Sequence, residues 1–181
     1  MSNTKTLKEI PVGETFKIGD LEFIKFSDEN GVTTAVSKDV VFNSRFGDNN
    51  DFSHSDILKK LTEKILPAIE KAIGAENVLE FETDLLSLDG SAKHGVLRSK
   101  ISIPTFDFYR LNRAVFESYK LDCWWWLSTP DSTSEYHNDR WNVCVSPSGY
   151  FNSLSAATAS ACARFCALYL LSLYLMMSEN G

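Results

Sequence analysis

The stretch Trp124-Trp125-Trp126-Leu127-Ser128-Thr129-Pro130 organises the rest of this 181-residue chain. Three consecutive indoles carry a large apolar surface that is costly to expose. Neighbours on a strand alternate between faces, so we predict an anchoring strand with at least two of the three indoles in a core. A segment of small polar residues follows, from Asp131 to Ala163, and the chain turns apolar again at Arg164. The rest of the chain is interpreted as a scaffold for this polar segment.

Length and composition predict a single domain over residues 1–181. Hydrophobic residues make up 44% of the chain and aromatic residues 12%, which is enough for a real core. The net charge of -6 argues against nucleic-acid binding, since that requires a basic face. No run of about twenty apolar residues is present, so we expect no membrane insertion. The N-terminus Met1–Lys5 lacks the apolar core of a secretory signal, so we expect a protein that is cytoplasmic on synthesis.

Residues 1–122 are interpreted as the scaffold, and a β-hairpin is predicted near its start. The segments Leu21–Phe26 and Val32–Val36 are rich in apolar and β-branched residues, as is typical of paired strands. Asn30-Gly31 lies between them, and this dipeptide tolerates the positive φ angles of a tight hairpin turn.

Two helices are predicted in the scaffold. In Ser55–Ile73, isoleucine or leucine recurs every four residues, and Gly74 is a suitable end. Pro67 should kink this helix or begin a second segment. Thr105 can cap the second helix, Phe106–Tyr119. One apolar face of the second helix is predicted to contain Phe108, Leu111, Val115 and Tyr119.

Residues 123–175 are predicted to supply the remaining strands. Trp141–Val145 alternates with a period of two, and a turn at 146–149 leads into a returning strand. Ala163–Leu175 is continuously apolar and is predicted to be one long, central strand. The fold class is therefore α+β, with two helices packed on a small antiparallel sheet and a loop-rich C-terminal third.

The cysteines and histidines do not form a recognisable metal motif. The chain has four cysteines and three histidines, with no Cys-x-x-Cys pair. A zinc site is therefore not expected, and we expect no cofactor. The cysteines are predicted to be small buried apolar residues, namely Cys123, Cys144, Cys162 and Cys166.

Several short motifs resemble a series found in bacterial and phage proteins with a C-type-lectin-like fold. That series reads Trp-Trp-Leu-Arg-Ser-Pro, then Val, Gly and finally Gly-Val-Arg-Pro-Ala-Leu. The matching segments here are Trp124–Pro130, Trp141–Val143, Ser148-Gly149 and Arg164–Leu168, with Thr83–Gly90 and Phe106–Arg110 upstream. Two departures stand out: Ser128 replaces the usual Arg, and Ala163-Arg164-Phe165 replaces Gly-Val-Arg-Pro.

The chain most closely resembles the variable proteins of diversity-generating retroelements. The resemblance implies a ligand-binding protein of a phage or prophage, whose C-terminal region (131–163) is rewritten by a reverse transcriptase that miscopies adenines. It implies a protein or cell-surface ligand of unknown identity. It leaves open a homo-oligomer or a virion component. The sugar-binding triplets of calcium-dependent lectins are absent, so no calcium is expected. A fixed phage accessory module is the alternative function.

The candidate binding surface is the polar segment and the strand that follows it. Tyr offers a large, rigid contact area, while Ser and Asn adapt their hydrogen bonds to many shapes, as in antibody loops. If Tyr136 anchors a ligand, its truncation should cost about 2 kcal/mol or more of binding free energy. The alternative is a loop whose polar residues only face water. The candidate residues are Ser132, Ser134, Tyr136, His137, Asn138, Asp139, Arg140, Asn142, Tyr150, Asn152, Ser153, Ser155, Thr158 and Ser160.

Catalysis is the less favoured function class. Formylglycine-generating enzymes share the fold class and use paired cysteines near the C-terminus, which invites comparison with Cys162 and Cys166. Residues four apart on a strand lie roughly 13 Å apart, which is beyond disulfide reach. The sequence contains no catalytic triad order, paired-carboxylate motif or phosphate loop. We therefore expect that the protein is not an enzyme.

Overall fold

The structure, a computed structural model, describes residues 4–133, 139–157, 161–163, 168–171 and 176–178. Its helices are α1 (Asp56–Lys60), α2 (Leu66–Ile73), α3 (Phe106–Leu111) and α4 (Arg113–Ser118). Its strands are β1 (Thr4–Thr6), β2 (Thr15–Ile18), β3 (Leu21–Glu29), β4 (Val32–Ser37), β5 (Phe42–Ser44), β6 (Val78–Leu79), β7 (Phe81–Asp84), β8 (Val96–Ser99), β9 (Trp125–Pro130), β10 (Trp141–Val145), β11 (Phe151–Ser155), β12 (Ala161–Ala163), β13 (Leu168–Leu171) and β14 (Met176–Ser178).

The N-terminal sheet has the strand order β2-β3-β4-β13-β6. The predicted hairpin is confirmed as β3 and β4, which pair in antiparallel. Asn30 and Gly31 have φ angles of 53° and 79°, as a tight hairpin turn requires. The remaining strand pairs in the described part of the chain are β1 with β14 and β7 with β8.

The C-terminal sheet has the strand order β11-β10-β9-β12-β5. Strand β12 pairs in parallel with β9 and in antiparallel with β5. The α+β class is confirmed, but the expectation of one small antiparallel sheet is wrong, because the described residues form two five-stranded sheets and two strand pairs. The C-terminal third is correspondingly richer in strands than predicted.

The apolar segment 163–175 does not form the single strand predicted from its hydrophobicity. Its first residue ends β12 in the C-terminal sheet, whereas β13 belongs to the N-terminal sheet. Strand β13 lies between β4 and β6, so it is paired on both sides, as expected for a continuously apolar strand. Residues 164–167 and 172–175 lie outside the described part of the chain.

The first predicted helix is confirmed, but it is interrupted. A π-helical turn, Leu61–Ile65, separates α1 from α2, and Pro67 lies at the start of α2. Proline is well tolerated there, because its missing N–H needs no partner in a first turn. The Ser55 hydroxyl accepts from the Leu58 amide at 3.0 Å and caps α1. Gly74, with φ +88°, ends α2.

The second predicted helix is divided into α3 and α4 at Asn112. Thr105 caps it as predicted, because its hydroxyl accepts from the Phe108 amide at 3.0 Å. The predicted apolar face is wrong at Leu111, which is 79% exposed. The non-helical backbone of Asn112 (φ -110°, ψ 22°) shifts the helical phase, so Tyr109 and Phe116 are the buried residues.

Two hydrophobic cores meet at β9. The larger contains Trp126 and lies against α1 and α2, while the smaller contains Trp125 and lies against α3 and α4. Trp126 packs edge-on against Phe46, and Trp125 stacks on Phe116. Trp124 is more exposed, so the prediction that two of the three indoles lie in a core is confirmed. This double anchoring fixes the strand from which the candidate surface is built.

Candidate binding surface

The fourteen candidate residues separate into three groups. Some are exposed or half-buried on described elements: Asp139, Arg140, Tyr150, Asn152, Ser153 and Ser155. Two lie in the interior: Ser132 and Asn142. The others fall outside the described residues: Ser134, Tyr136, His137, Asn138, Thr158 and Ser160.

The exposed candidates centre on β11, an edge strand of the C-terminal sheet. Tyr150, which precedes β11, is 71% exposed, and Asn152 is also exposed. The Ser153 hydroxyl donates to the Asp131 carboxylate at 2.9 Å, so this half-buried residue ties β11 to the end of β9. The structure therefore brings four of these candidates together on β11 and its preceding turn, namely Tyr150, Asn152, Ser153 and Ser155, whereas Asp139 and Arg140 lie in the turn before β10.

Ser132 and Asn142 do not belong to an exposed surface, and the prediction for these two is corrected. Asn142 is fully buried, and its side-chain amide donates to the Leu127 carbonyl at 2.6 Å. The Ser132 carbonyl accepts from the side-chain amide of Asn50 at 2.6 Å. Polar composition suggested exposure, but Ser132 directly follows the end of β9 and Asn142 lies within β10. The Ser132 carbonyl and the Asn142 side-chain N–H group therefore serve internal hydrogen bonds.

Two aromatic residues on this surface were not predicted as part of it. Phe151 is 53% exposed and Trp141 is 43% exposed. The Phe151 ring lies edge-on to that of Phe106, with the centroids 4.8 Å apart. The alternation of Trp141–Val145 could have shown which residues share a face, but not that β11 is an edge strand. Exposed aromatic side chains are favoured contact residues in binding surfaces.

Asn50 holds the two ends of the segment 132–141 together. Its side-chain amide donates to the carbonyls of Ser132 and Trp141, at 2.6 and 2.8 Å. Its backbone amide donates to the Asp139 carbonyl at 2.8 Å. One buried side chain therefore binds both ends, in addition to the Asp131 amide, which donates to the Trp141 carbonyl at 3.2 Å. No sequence pattern pointed to Asn50.

Asn50 is itself held by a polar network. The side-chain oxygen of Asn50 lies 3.1 Å from Nε2 of His94, whose Nδ1 lies 3.8 Å from the Asp51 carboxylate. The His54 Nδ1 lies 2.8 Å from the same Asp51 oxygen. Burial alone would raise the pKa of Asp51, but hydrogen bonds from Ser53 and His54 and the charge of His94 outweigh it and lower that pKa. Two histidines that are distant in sequence thus meet at one carboxylate.

The turn before β11 is held in place by a hydrogen bond from Tyr109 of the smaller core. Gly149 adopts φ +83°, which favours glycine, and its carbonyl accepts from the Tyr109 hydroxyl at 2.7 Å. Burial raises the pKa of Tyr109, so its hydroxyl stays a donor at neutral pH. Tyr150 is exposed directly after a turn that the smaller core holds in place.

The cysteine prediction is tested at Cys123 and Cys144, which follow it only in part, whereas the side chains of Cys162 and Cys166 lie outside the described part of the structure. Cys144 is a buried free thiol, as predicted, and burial raises its pKa to about 12. Its thiol donates to the Asn152 carbonyl at 3.3 Å. Cys123 is disulfide-bonded, so its description as a simple apolar residue is corrected. At neutral pH neither group is a thiolate nucleophile.

In the described part of the chain, no group of three or more His, Cys, Asp or Glu side chains is arranged so that it could hold a metal ion. None of its helices is long and apolar enough to cross a membrane. The arrangement can contact a ligand through exposed aromatic rings, amides and hydroxyls on β11, while the neighbouring strand β10 is buried after Trp141.

Comparisons with known proteins identify no relative. No family model matches the chain, and neither the curated proteins nor the solved structures contain a match.

Proposed function

We propose that this protein binds a protein or cell-surface ligand through the exposed side chains of β11 and the adjoining polar segments. The observation that carries the proposal is the contrast at the edge of the C-terminal sheet. Tyr150, Phe151 and Asn152 are exposed, whereas every residue of β9 is buried. Side chains at this edge can change without disturbing a core, which is what a recognition surface on a rigid scaffold requires.

The chemistry of the exposed residues suits protein recognition. Tyr150 and Phe151 offer large rings with few rotatable bonds, so little conformational entropy is lost on binding. Asn152 offers both a donor and an acceptor. Trp141 adds a further partly exposed ring near the far end of β10. Aromatic anchors surrounded by adaptable polar groups are the usual composition of a paratope.

We further propose that the scaffold is a C-type-lectin-like domain and that a diversity-generating retroelement rewrites the segment 131–163. The motif resemblance at Trp124–Pro130 and Trp141–Val143 supports this proposal. Two structural features also support it. Strand β9 and the residues of β10 after Trp141 are buried, and the Asn50 side chain binds both ends of the segment 132–141, an arrangement we call the Asn50 clamp. A diversified surface needs such a backbone, whose structure does not depend on the varied side chains. In this family, asparagine codons are rewritten at their adenines, so Asn, Ser, Tyr and Asp are the expected residue types.

The proposal assigns the protein no catalytic step. The alternative of a formylglycine-generating type of enzyme would need accessible cysteine thiols near the C-terminus. Among the described side chains, Cys123 is in a disulfide and Cys144 is a buried thiol with a pKa of about 12. The cysteines that invite this comparison are Cys162 and Cys166, whose side chains lie outside the described part of the structure.

The test is to sequence the 3′ end of the gene in many sister clones, together with the DNA downstream of it. We expect a nearby reverse transcriptase gene and a near-copy of the segment that differs only at adenines. Asn142 and Asn152 form a matched pair, because both codons contain rewritable adenines. We expect substitutions to be recovered at the exposed Asn152 and to be absent at the buried Asn142.

Two outcomes would contradict the proposal. An unvarying segment in every clone, with no reverse transcriptase nearby, would leave a fixed binding or virion accessory module. Equal variation at Asn142 and Asn152 would show that the varied positions are not chosen by exposure on β11.

A further inference from the structure

A cleft of about 610 Å³ lies between β7 and the N-terminal end of α3. It is lined by β7, by the segment 86–90 and by residues 103–108. It adjoins the edge strand β11, because Phe106 lines the cleft and also contacts Phe151. The cleft is nevertheless built from other parts of the chain than the segment 131–163, so it does not depend on diversification.

The strand that lines this cleft has an unpaired edge. Among the described residues, β7 pairs only with β8. The Leu85 amide donates to the Gly95 carbonyl at 3.0 Å, so these two residues form a hydrogen-bonded pair of the antiparallel ladder. Hydrogen-bonded and non-hydrogen-bonded pairs alternate along such a ladder, so Thr83 is again hydrogen-bonded to β8, whereas Glu82 and Asp84 are not. The backbone N–H and C=O groups of Glu82 and Asp84 therefore point away from β8. An unpaired row of backbone donors and acceptors is a template for another strand.

The cleft also offers apolar contact and an unused polar group. Leu86 and Leu88 are 42% and 41% exposed, which is unusual for two leucines so close in sequence. Phe106 and Phe108 are half-buried on the α3 side. The hydroxyl of Thr83 is buried and has no hydrogen-bond partner among the described residues. An orphaned buried hydroxyl beside an open cleft is consistent with a site that a ligand completes.

The charge of the cleft is acidic. Three carboxylates line it, those of Glu82, Asp84 and Asp107, together with the guanidinium of Arg110. Glu82 is already paired with Arg98 at 2.8 Å. Arg110 pairs with Asp107 at 2.8 Å. Within the described ranges, no basic group lies within ion-pair distance of Asp84. A ligand with positive charge near Asp84 is therefore favoured.

We propose that the cleft binds an extended basic segment of a partner protein, which adds to β7 as a third strand. A lysine or arginine side chain of this segment faces Asp84, and the alternate apolar side chains enter the cleft toward Phe106. Strand addition of this kind uses backbone hydrogen bonds for affinity and side-chain pockets for specificity. A second copy of this chain is a poorer occupant, because pairing β7 with β7 places carboxylates against carboxylates.

The experiment measures fluorescence anisotropy of the full-length protein with a labelled seven-residue peptide in which lysine and leucine alternate. We expect saturable binding that weakens as salt is added. The same peptide with glutamate in place of lysine should bind at least about tenfold more weakly, because its charges repel the cleft. A peptide with N-methylated backbone amides should lose binding, since it cannot pair with β7.

Protein variants locate the binding at the cleft. Asp84→Lys should weaken binding of the lysine peptide about tenfold and strengthen binding of the glutamate peptide. Glu63→Lys is the matched control, because it makes the same charge change at an exposed residue of the π-helical turn, outside the cleft. Circular dichroism of both variants checks that they are folded.

Four results would overturn the proposal. The first is no saturable binding of the lysine peptide, and the second is binding that survives N-methylation of its amides. The third is equal weakening by Asp84→Lys and Glu63→Lys, which would reveal only a long-range charge effect. The fourth is a dimer, seen by sedimentation, that Asp84→Lys alters, because the occupant is then a second copy of the chain.

Discussion

Strands β10 and β11 are neighbours in one sheet, yet they have opposite relations to solvent. After Trp141, every residue of β10 is buried, whereas β11 has no buried residue. Each strand contains an asparagine: Asn142 donates inside the protein to Leu127, and Asn152 is exposed. The contrast teaches that place in the sheet, rather than residue type, decides which polar side chains can serve recognition.

The largest loss of unfolding free energy is expected from a substitution in the buried part of the C-terminal sheet, at Trp126 in β9. Trp126→Ala should lower the free energy of unfolding by about 3–5 kcal/mol, because it opens a cavity in the larger core. It also removes the indole N–H that donates to the Ser44 carbonyl at 3.0 Å. Chemical denaturation monitored by circular dichroism measures the loss. Trp126→Phe, which keeps an aromatic ring, should lose much less, and equal losses in the two variants would contradict the packing explanation.

The next largest loss of stability is expected when the Asn50 side chain, which binds both ends of the segment 132–141, is removed. Asn50→Ala leaves the Ser132 carbonyl without its side-chain donor, and an orphaned buried group costs about 1–3 kcal/mol. It also removes one of two donors to the Trp141 carbonyl, which keeps the Asp131 amide at 3.2 Å. We therefore expect a loss of about 2–3 kcal/mol, since solvent can satisfy part of the deficit. Asn49→Ala, at the half-buried neighbouring position, is the control. An Asn50→Ala variant as stable as the control would show that the two ends need no clamp.

A smaller change in the free energy of unfolding is expected at Asp51, whose carboxylate lies next to the histidine that contacts Asn50. A lowered pKa in the folded state means that Asp51 stabilises the fold above its unfolded pKa of about 3.9 and loses that contribution as pH falls through the folded value. Asp51→Asn should therefore be less stable than the wild type at neutral pH, with the difference shrinking below about pH 4. Denaturation curves at several pH values test this. A difference that stays constant down to the lowest pH would contradict it.

The smallest effect is expected on β11 and its turn. The double change Tyr150→Ser and Asn152→Ser should alter the free energy of unfolding by no more than about 0.5 kcal/mol, because both side chains are exposed. Thermal unfolding measures this, with Asn142→Ser as the buried counterpart. A large fall in melting temperature for the double variant would mean that β11 is part of the scaffold, and the binding proposal would fail with it.

Local patterns in the sequence were sufficient for several elements. The Asn30-Gly31 turn, the caps at Ser55 and Thr105 and the helix end at Gly74 depend on residues only a few positions apart. Helix interruption near Pro67 followed from the missing N–H of proline. These predictions succeeded because each rests on backbone chemistry that acts within one turn.

Predictions that depended on distant contacts were less successful. Leu111 was placed on a buried face, because the break at Asn112 could not be anticipated from periodicity. The apolar segment 163–175 was predicted to be one strand, since hydrophobicity alone does not show when a chain passes from one sheet to another. Ser132 was predicted to be exposed from its polarity, although Asn50 binds its carbonyl.

From the sequence alone it follows that Trp124–Pro130 anchors a sheet, that two of its indoles are buried and that the fold is α+β. This is possible because strand alternation and the cost of exposing indole act locally. Three features became visible only in the folded protein: β11 is an edge strand, Asn50 binds both ends of the polar segment, and β7 has an open edge beside a cleft. Those features are relations between segments far apart in the chain, and they arise only when the two sheets pack around their shared cores.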